Sequence, residues 1–482
     1  MLFNSLDFAI FLPIVFILYW FVAKGNLKLQ NILLLISSYY FYACWDWRFM
    51  FLLIFSTLLD YYTGIKIHEG KSYKIKSFWL WFSISINLGF LGVFKYYNFF
   101  VTSFADGLSL LGFNANLTML KIMLPVGISF YTFHGLSYVI DLYKNRIEPE
   151  RNFIDYSLFV SFFPLLVAGP IERATHLLPQ IRKKREFNYR KAVDGLRQIL
   201  WGLFKKIVIA DGCAQFANTI FNNSCEYSGS TLVLGALFFT FQIYCDFSGY
   251  SDIALGTARL FGIELLRNFA FPYFSRDIAE FWRRWHISLS SWFKDYLYIP
   301  LGGSKGGMWI RIRNVFIIFI VSGFWHGANW TFIVWGFLNA LFIMPSVIFN
   351  TNRNNLEIVA KGKSLPTIKE FLAISFTFSL TVFAWIFFRA NDLSHAFSYI
   401  SQMFSVSLFT VPNFPDMLKA CTVIILTILF IIIEWCGREN EYALSEIGIS
   451  WYKPLRWAMY YLIIFAIYKF SGAEQQFIYF QF

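Results

Sequence analysis

The chain has 482 residues, 57% hydrophobic and 22% aromatic, with 60 Phe, 27 Tyr and 17 Trp. Only 15% are charged, against roughly 25% in soluble domains, so polar residues cannot cover a soluble protein of this size, and the apolar content excludes disorder and fibrous repeats. In a soluble protein the net charge of +12 would point to nucleic acid; here it is read as the Lys and Arg of cytoplasmic loops, with no nucleic-acid partner.

Apolar runs long enough to span, or nearly so, lie near 8–23, 29–44, 49–65, 77–100, 118–140, 153–169, 196–211, 230–247, 310–324, 328–348, 369–388, 418–436 and 455–470. They predict an all-α polytopic integral membrane protein with about 11 transmembrane helices. The remaining runs are expected as re-entrant or interfacial segments, packed inside protein. No fixed-period repeat or separating linker occurs, so residues 1–482 read as a single transmembrane domain, with core motifs in 124–340 and peripheral helices in 1–105 and 369–482. Met1–Trp20 has no Lys or Arg before its apolar run and no small-residue cleavage site, which reads as a retained first span. Two basic stretches set the orientation. Arg182, Lys183, Lys184, Arg185, Arg190, Lys191, Arg197, Lys205 and Lys206 fill one, and Arg283, Arg284, Lys294, Lys305, Arg311 and Arg313 the other; both are expected to face the cytoplasm.

Segment 276–309 breaks the membrane pattern. Phe281, Trp282, Trp285, Leu289, Trp292, Phe293 and Tyr296 recur at helical steps between charges, an amphipathic helix that lies at an interface or dips into a cavity. Pro300 and two Gly pairs end it. Six scattered Cys show no CxxC or Cys/His spacing, so neither a disulfide framework nor a metal site is expected.

Six histidines remain to be sorted. His68, His176 and His395 read as solvated, and His134 as either a core or a pocket residue. His326 sits in VSGFWHGANW between two apolar runs, where an ionisable group usually faces a cavity. Neutral imidazole there suits a general base. The alternative is a packing histidine bonded to a neighbouring helix. His286 lies on the amphipathic helix beside Arg283, Arg284 and Asp295, where either an exposed structural role or the edge of a cavity fits. Asp246 and Asp252, in YCDFSGYSDIALG, read as structural buried charges that need partners, with Arg259 and Arg276 the candidates.

Together these motifs resemble the membrane-bound O-acyltransferase family, and within it the bacterial alginate O-acetylation branch. The likeness starts at FNSLDFAIFLPIVFILYW (3–20) and runs through LPVGISFYTFHGLSYVID (124–141) and FFPLLVAGPIERA (162–174). It is strongest in QIYCDFSGYSDIALG (242–256), FWRRWHISLSSWFKDYLYIPLGG (281–303) and GFWHGANW (323–330). The resemblance implies helices around a central funnel or tunnel, with His326 and His286 as the catalytic histidines. It implies an acyl group, most simply acetyl, taken from acetyl-CoA or another thioester and passed across the bacterial cytoplasmic (inner) membrane to an envelope polysaccharide. No bound cofactor is implied. An SGNH-type periplasmic or extracellular partner is implied to complete the transfer. On this reading Trp285, Trp325, Asn329, Asp295, Arg283 and Arg284 line the substrate path, and Arg283, Arg284, Lys294 and Lys305 attract an anionic donor. Two alternatives stay open: D-alanyl transfer to teichoic acid from a carrier protein, and a polysaccharide or lipid transporter.

Overall fold

The structure, a computed structural model, describes residues 1–113, 118–120, 125–167, 169–472, 475, 477 and 478. Every regular element among the described residues is helical. By length and composition seven helical segments are able to cross a membrane: Trp47–Glu69, Tyr73–Leu110, Gly229–Leu260, Met308–His326, Trp330–Ile348, Ile368–Arg389 and Met417–Gly437. The chain is a multi-pass membrane protein. It divides into two compact units, one of Met1–Ala192 with Thr257–Leu266, the other of Val193–Gly256 with Arg267–Phe482.

In the first unit the helices are α1 (Leu6–Ile17), α2 (Leu27–Ala43), α3 (Trp47–Glu69), α4 (Tyr73–Leu91), α5 (Tyr97–Leu110), α6 (Ile128–Tyr143), α7 (Phe153–Ser161), α8 (Phe163–Leu166) and α9 (Ala174–Arg182). Side-chain oxygens of Ser5, Asn26, Asp46 and Ser72 accept backbone N–H groups at the starts of the first four, satisfying donors that the first turn leaves open. Where α3, α4 and α6 pack, buried Asp60 accepts from Ser83 Oγ (2.6 Å) and Asn87 Nδ2 (2.8 Å). Two expected runs differ. Run 153–169 is not one helix, because Pro164 brings no N–H to the ladder and the chain kinks at Phe162. Run 118–140 is helical from Ile128 onward; its residues 121–124, with Leu124 of the LPVG motif, lie outside the described residues, as does Ala168 of the FFPLLVAGP motif.

The basic stretch 182–206 does more than set topology. Arg182 is bound to Glu150 and buried Arg185 to Asn31, while Lys191 pairs with Glu264 at 2.9 Å.

α10 (Tyr189–Leu203) carries the chain into the second unit. There follow α11 (Asp211–Asn222), α12 (Gly229–Leu260), α13 (Ile278–Arg284), α14 (Ile287–Phe293), α15 (Met308–His326), α16 (Trp330–Ile348), α17 (Ile368–Arg389), α18 (Leu393–Met403), α19 (Met417–Gly437) and α20 (Lys453–Phe470). A π-helical segment, Phe204–Ala210, links α10 to α11. α10 crosses α12 backbone to backbone: a Cβ on Gly202 would stand 2.6 Å from Gly249 O, and one on Gly256 2.4 Å from Gly195 O. Small residues allow such contact between membrane helices, where no hydrophobic force drives association.

Candidate active site

α15 and α16 form a hairpin that sets His326. A Cβ on Gly323 would lie 2.2 Å from Phe332 O, and one on Gly336 2.3 Å from Phe319 O, so both positions must be glycine for the helices to meet. His326 is the last residue of α15, and Gly327 then turns extended (φ −160°). Asn329 starts α16 as its cap: its Oδ1 accepts from Thr331 N (3.0 Å), and its Nδ2 donates to Asn391 O (2.7 Å). Both ends of that side chain are therefore committed to backbone, as a helix cap.

The His326 ring is buried among Trp325 (5.1 Å between centroids), Trp335 (5.3 Å, near perpendicular) and Phe388 (5.4 Å). Trp335 stacks on Trp385 at 5.6 Å, and Trp385 meets Trp285 at 5.1 Å. An unbroken run of rings thus joins His326 to the neighbourhood of His286.

His286 occupies the joint between α13 and α14 rather than a helix interior, and its backbone is left-handed (φ +44°, ψ +53°). For a residue with a Cβ this costs about 1 kcal/mol or more. The strain is held by flanking contacts: Ala270 N donates to Arg284 O (3.0 Å), Ile287 N to Asn268 O (2.9 Å) and Ser288 Oγ to Asn268 Oδ1 (2.6 Å). The ring packs edge-on to Phe247 at 4.7 Å. It is fully buried, and neither ring nitrogen has a hydrogen-bond partner among the described residues. Burial pushes its pKa down to about 3, so the imidazole is neutral at physiological pH.

The two imidazole centroids are 6.4 Å apart, with Trp325 equally 6.4 Å from His286. That is too far for a direct hydrogen bond, and about the span of two bonds of roughly 2.8 Å meeting at one bridging oxygen. A neutral imidazole presents one donor and one acceptor. Such a pair can take a proton from a hydroxyl and orient a carbonyl beside it.

The charged residues expected around the site are arranged differently. Buried Glu280 is clamped by Arg284 (2.9 Å), an i,i+4 pair on α13, and by Arg276 (3.0 Å), which lies just before the helix. Arg283 donates to Asn352 O (2.6 Å) and Asn355 O (2.7 Å). These arginines belt the loop after α16. Asp295 is half-buried on the π-helical turn Lys294–Tyr298, and Trp285 is buried against Phe281, Phe269 and Trp385.

Asp246 is buried and Asp252 partly so, and both are paired, but by lysines instead of Arg259 and Arg276. Lys206 Nζ lies 2.9 Å from Asp246 and 2.8 Å from Asp211, and Lys205 Nζ lies 2.5 Å from Asp252. Arg259 pairs with Glu264 at 3.3 Å, five residues on, and Arg276 with Glu280. Ile478 N donates to Asp246 (2.8 Å), and Phe477 lies 4.3 Å from Tyr250. Glu434, a lone carboxylate inside the apolar run of α19, accepts from Tyr244 OH (2.6 Å) and Trp201 Nε1 (3.2 Å). Lys205, Lys206 and Glu434 were not singled out in the sequence; an acid inside an apolar run is the signal that marks Glu434. Lys205, Asp252, Arg267, Glu434 and Glu441 line a small cavity of about 20 Å³.

Among the described residues no three His, Cys, Asp or Glu side chains converge as metal ligands. His134 accepts from Glu172 N (3.1 Å) through Nε2, and His176 is half-buried against Glu172 (2.7 Å) rather than solvated.

Residues 149–386, which include both histidines, match the model of the membrane-bound O-acyltransferase family. The chain is 33% identical to the peptidoglycan O-acetyltransferase of Helicobacter pylori, with 100% of this chain and 98% of that protein aligned. It is 35% identical to the probable alginate O-acetylase AlgI of Pseudomonas putida, with 100% of both chains aligned. The teichoic acid D-alanyltransferase of Bacillus subtilis is 28% identical over 56% of this chain and 70% of its own length. With whole-length likeness to such enzymes and the family's motifs around both histidines, the chain belongs to the membrane-bound O-acyltransferase family and is an acyltransferase.

Proposed function

We propose that this enzyme transfers an acetyl group from acetyl-CoA or a related thioester, across the bacterial inner membrane, for O-acetylation of an envelope polysaccharide. The observation that carries this reading is the end-to-end alignment with two proteins named for O-acetylation, set against partial alignment with the D-alanyltransferase. An SGNH-type partner outside the membrane receives the acetyl group and delivers it to the polymer.

In the proposed step His326 accepts the proton of an acceptor hydroxyl as its oxygen attacks the thioester carbonyl carbon. The C–S bond then breaks, and the departing thiolate takes the proton back from His326 as a thiol. No proton is gained or lost overall. His286, neutral and buried beside it, orients the carbonyl. A thioester has ample acyl-transfer potential, so positioning and proton removal are the catalytic tasks.

The test supplies labelled acetyl-CoA to membranes holding wild type or His326→Ala and measures base-labile acetyl ester on polysaccharide. Loss of about 10²–10⁴-fold in the variant is expected for a general base. Equal labelling in both at matched expression removes His326 from the mechanism. Label that appears only with a charged D-alanyl carrier protein replaces acetylation by D-alanylation.

A further inference from the structure

In the second unit, between the Arg276 end of α13 and the start of α17, lies an open basin of about 540 Å³. Its lining brings four cations, Arg276, Lys361, Lys363 and Lys369, against two acids, Glu357 and Glu370. Arg276 and Glu370 are already engaged. Arg276 is clamped to Glu280, and Glu370 accepts from Thr367 N and Oγ1 at 2.9 Å each as the capping box of α17. The side-chain ammonium groups of Lys361, Lys363 and Lys369 form no hydrogen bond or ion pair with the described residues, so three positive charges line the basin uncompensated.

The loop that presents them is firmly built. Buried Arg438 donates to Val359 O (3.0 Å), Ala360 O (2.6 Å) and Lys363 O (2.6 Å). Trp435 Nε1 donates to Ser364 O (2.8 Å), and Gly362 N to Glu439 (2.8 Å). Ala360 is held left-handed at φ +47° within this clasp. A loop fixed by five side-chain contacts pre-organises its lysines, which lowers the ordering cost of binding an anion.

Leu365, Ile368 and Leu372, each within two residues of a lining residue in sequence, are 76%, 81% and 62% exposed, and the last two stand on α17, a helix able to cross the membrane. A cluster of ammonium groups at the end of a membrane helix, beside bare aliphatic side chains, matches a molecule with a phosphate at one end and hydrocarbon at the other. We propose that the basin binds the phosphate headgroup of an anionic phospholipid, with its acyl chains along the exposed face of α17. A soluble phosphate such as that of coenzyme A shares the headgroup chemistry but has no use for the exposed aliphatic side chains.

The experiment reconstitutes the full chain in phosphatidylcholine nanodiscs containing a minor fraction of phosphatidylglycerol, re-extracts it in neutral detergent and counts retained lipids by mass spectrometry. Wild type is compared with Lys361→Gln/Lys363→Gln/Lys369→Gln and with Lys24→Gln/Lys28→Gln, which removes two exposed lysines elsewhere. Wild type and the control should retain phosphatidylglycerol over phosphatidylcholine by at least about tenfold, as expected for a few lysines at a membrane surface, and the triple variant should lose that preference. Equal preference in the triple variant overturns the proposal. A melting-temperature arm separates the two phosphate sources. Phosphatidylglycerol should raise the melting temperature of wild type and not of the triple variant. If coenzyme A alone shows that lysine dependence, the basin serves a soluble phosphate and the lipid assignment fails. Should the triple variant not purify as a monodisperse protein, Lys369→Gln alone is expected to give a partial loss, and no loss there counts against the proposal.

Discussion

Gly323→Ala tests whether the α15–α16 contact is what places His326. The added Cβ would stand 2.2 Å from Phe332 O, whereas real Cβ contacts essentially never fall below 3.0 Å, so one helix must retreat by about 1 Å. The obstacle is a backbone carbonyl, which cannot swing aside as a side chain would. His326 is three residues further along the same helix and moves with it. A misplacement of about 1 Å costs on the order of 10²-fold in rate, or roughly 2.7 kcal/mol of barrier. Helix propensity works the other way, since Ala is favoured over Gly by about 1 kcal/mol, so the variant should not simply fail to form a helix. Gly336→Ala, whose Cβ would lie 2.3 Å from Phe319 O on the facing helix, should reproduce the defect. Gly89→Ala on α4, where an added Cβ meets nothing within 4 Å, should not. The assay is initial-rate labelled acetyl transfer by purified protein, normalised to the monodisperse fraction. A Gly323→Ala enzyme retaining more than about a third of the wild-type rate would refute the inference that close backbone contact positions the histidine.

Three further outcomes follow from the site and its surroundings. His286 has a folded pKa of about 3 against an ordinary value of 6.5, so below pH 6.5 the unfolded chain takes up a proton that the folded one refuses. Its neutral burial therefore favours the fold above pH 6.5 and works against it as pH falls from there. His286→Gln should flatten the acid-side decline in melting temperature between roughly pH 6.5 and 4, and an unchanged decline would show that the ring is not held neutral. Lys206 and Asp246 are each 1% exposed, so Lys206→Met, which strands the carboxylate, should destabilise by about 3–5 kcal/mol in denaturant unfolding. Lys206→Met/Asp246→Leu should regain part of this, and a double variant weaker than the single would mean that packing dominates there. Asn329→Ala should cost about 1 kcal/mol of stability while Asn329→Ser is nearly neutral, because a hydroxyl also caps a helix; a rate loss in both variants at unchanged stability would place Asn329 on the substrate path.

The membrane class was legible because composition has only one physical remedy: apolar surface in such excess has to meet lipid. His326 and His286 stood out because an imidazole between apolar runs and an imidazole on an amphipathic segment are each unusual, and motif order then joined them to one family. Pairing was less legible. Arg259 and Arg276 were the cations expected to pair with Asp246 and Asp252, yet each found an acid four or five residues away, where little chain entropy is lost in meeting. The aspartates were left to Lys205 and Lys206, some forty residues distant, which reach them only because glycines let α10 lie against α12. Nothing local in residues 182–206 distinguishes these two lysines from their solvated neighbours. The helix break at Phe162 was within reach, since Pro164 interrupts its run. The left-handed joint at His286 was not, because the contacts that hold it come from Asn268 and Ala270, outside the segment whose periodicity was read.

The contrast between the histidines and the buried carboxylates bears on how the chemistry is controlled. In a serine-hydrolase triad a carboxylate orients the histidine and steadies its positive charge. Here Asp246, Asp252 and Glu434 are satisfied by Lys206, Lys205 and the Tyr244–Trp201 pair, while His286 has no acidic partner among the described residues and is oriented by its backbone and by Phe247. A neutral imidazole without a carboxylate suits the orienting role proposed for His286, and an acyl group that arrives as a thioester already carries its activation. The competing hazard is water, which would hydrolyse the same bond. Apart from their indole N–H groups, Trp285, Trp325, Trp335, Trp385 and Phe388 present apolar ring surface around the histidines, which limits the water that could reach a thioester bound there. On this reasoning, replacing Trp335 by a smaller polar residue should raise thioester hydrolysis relative to acyl transfer, a ratio that a mere loss of fold would leave unchanged.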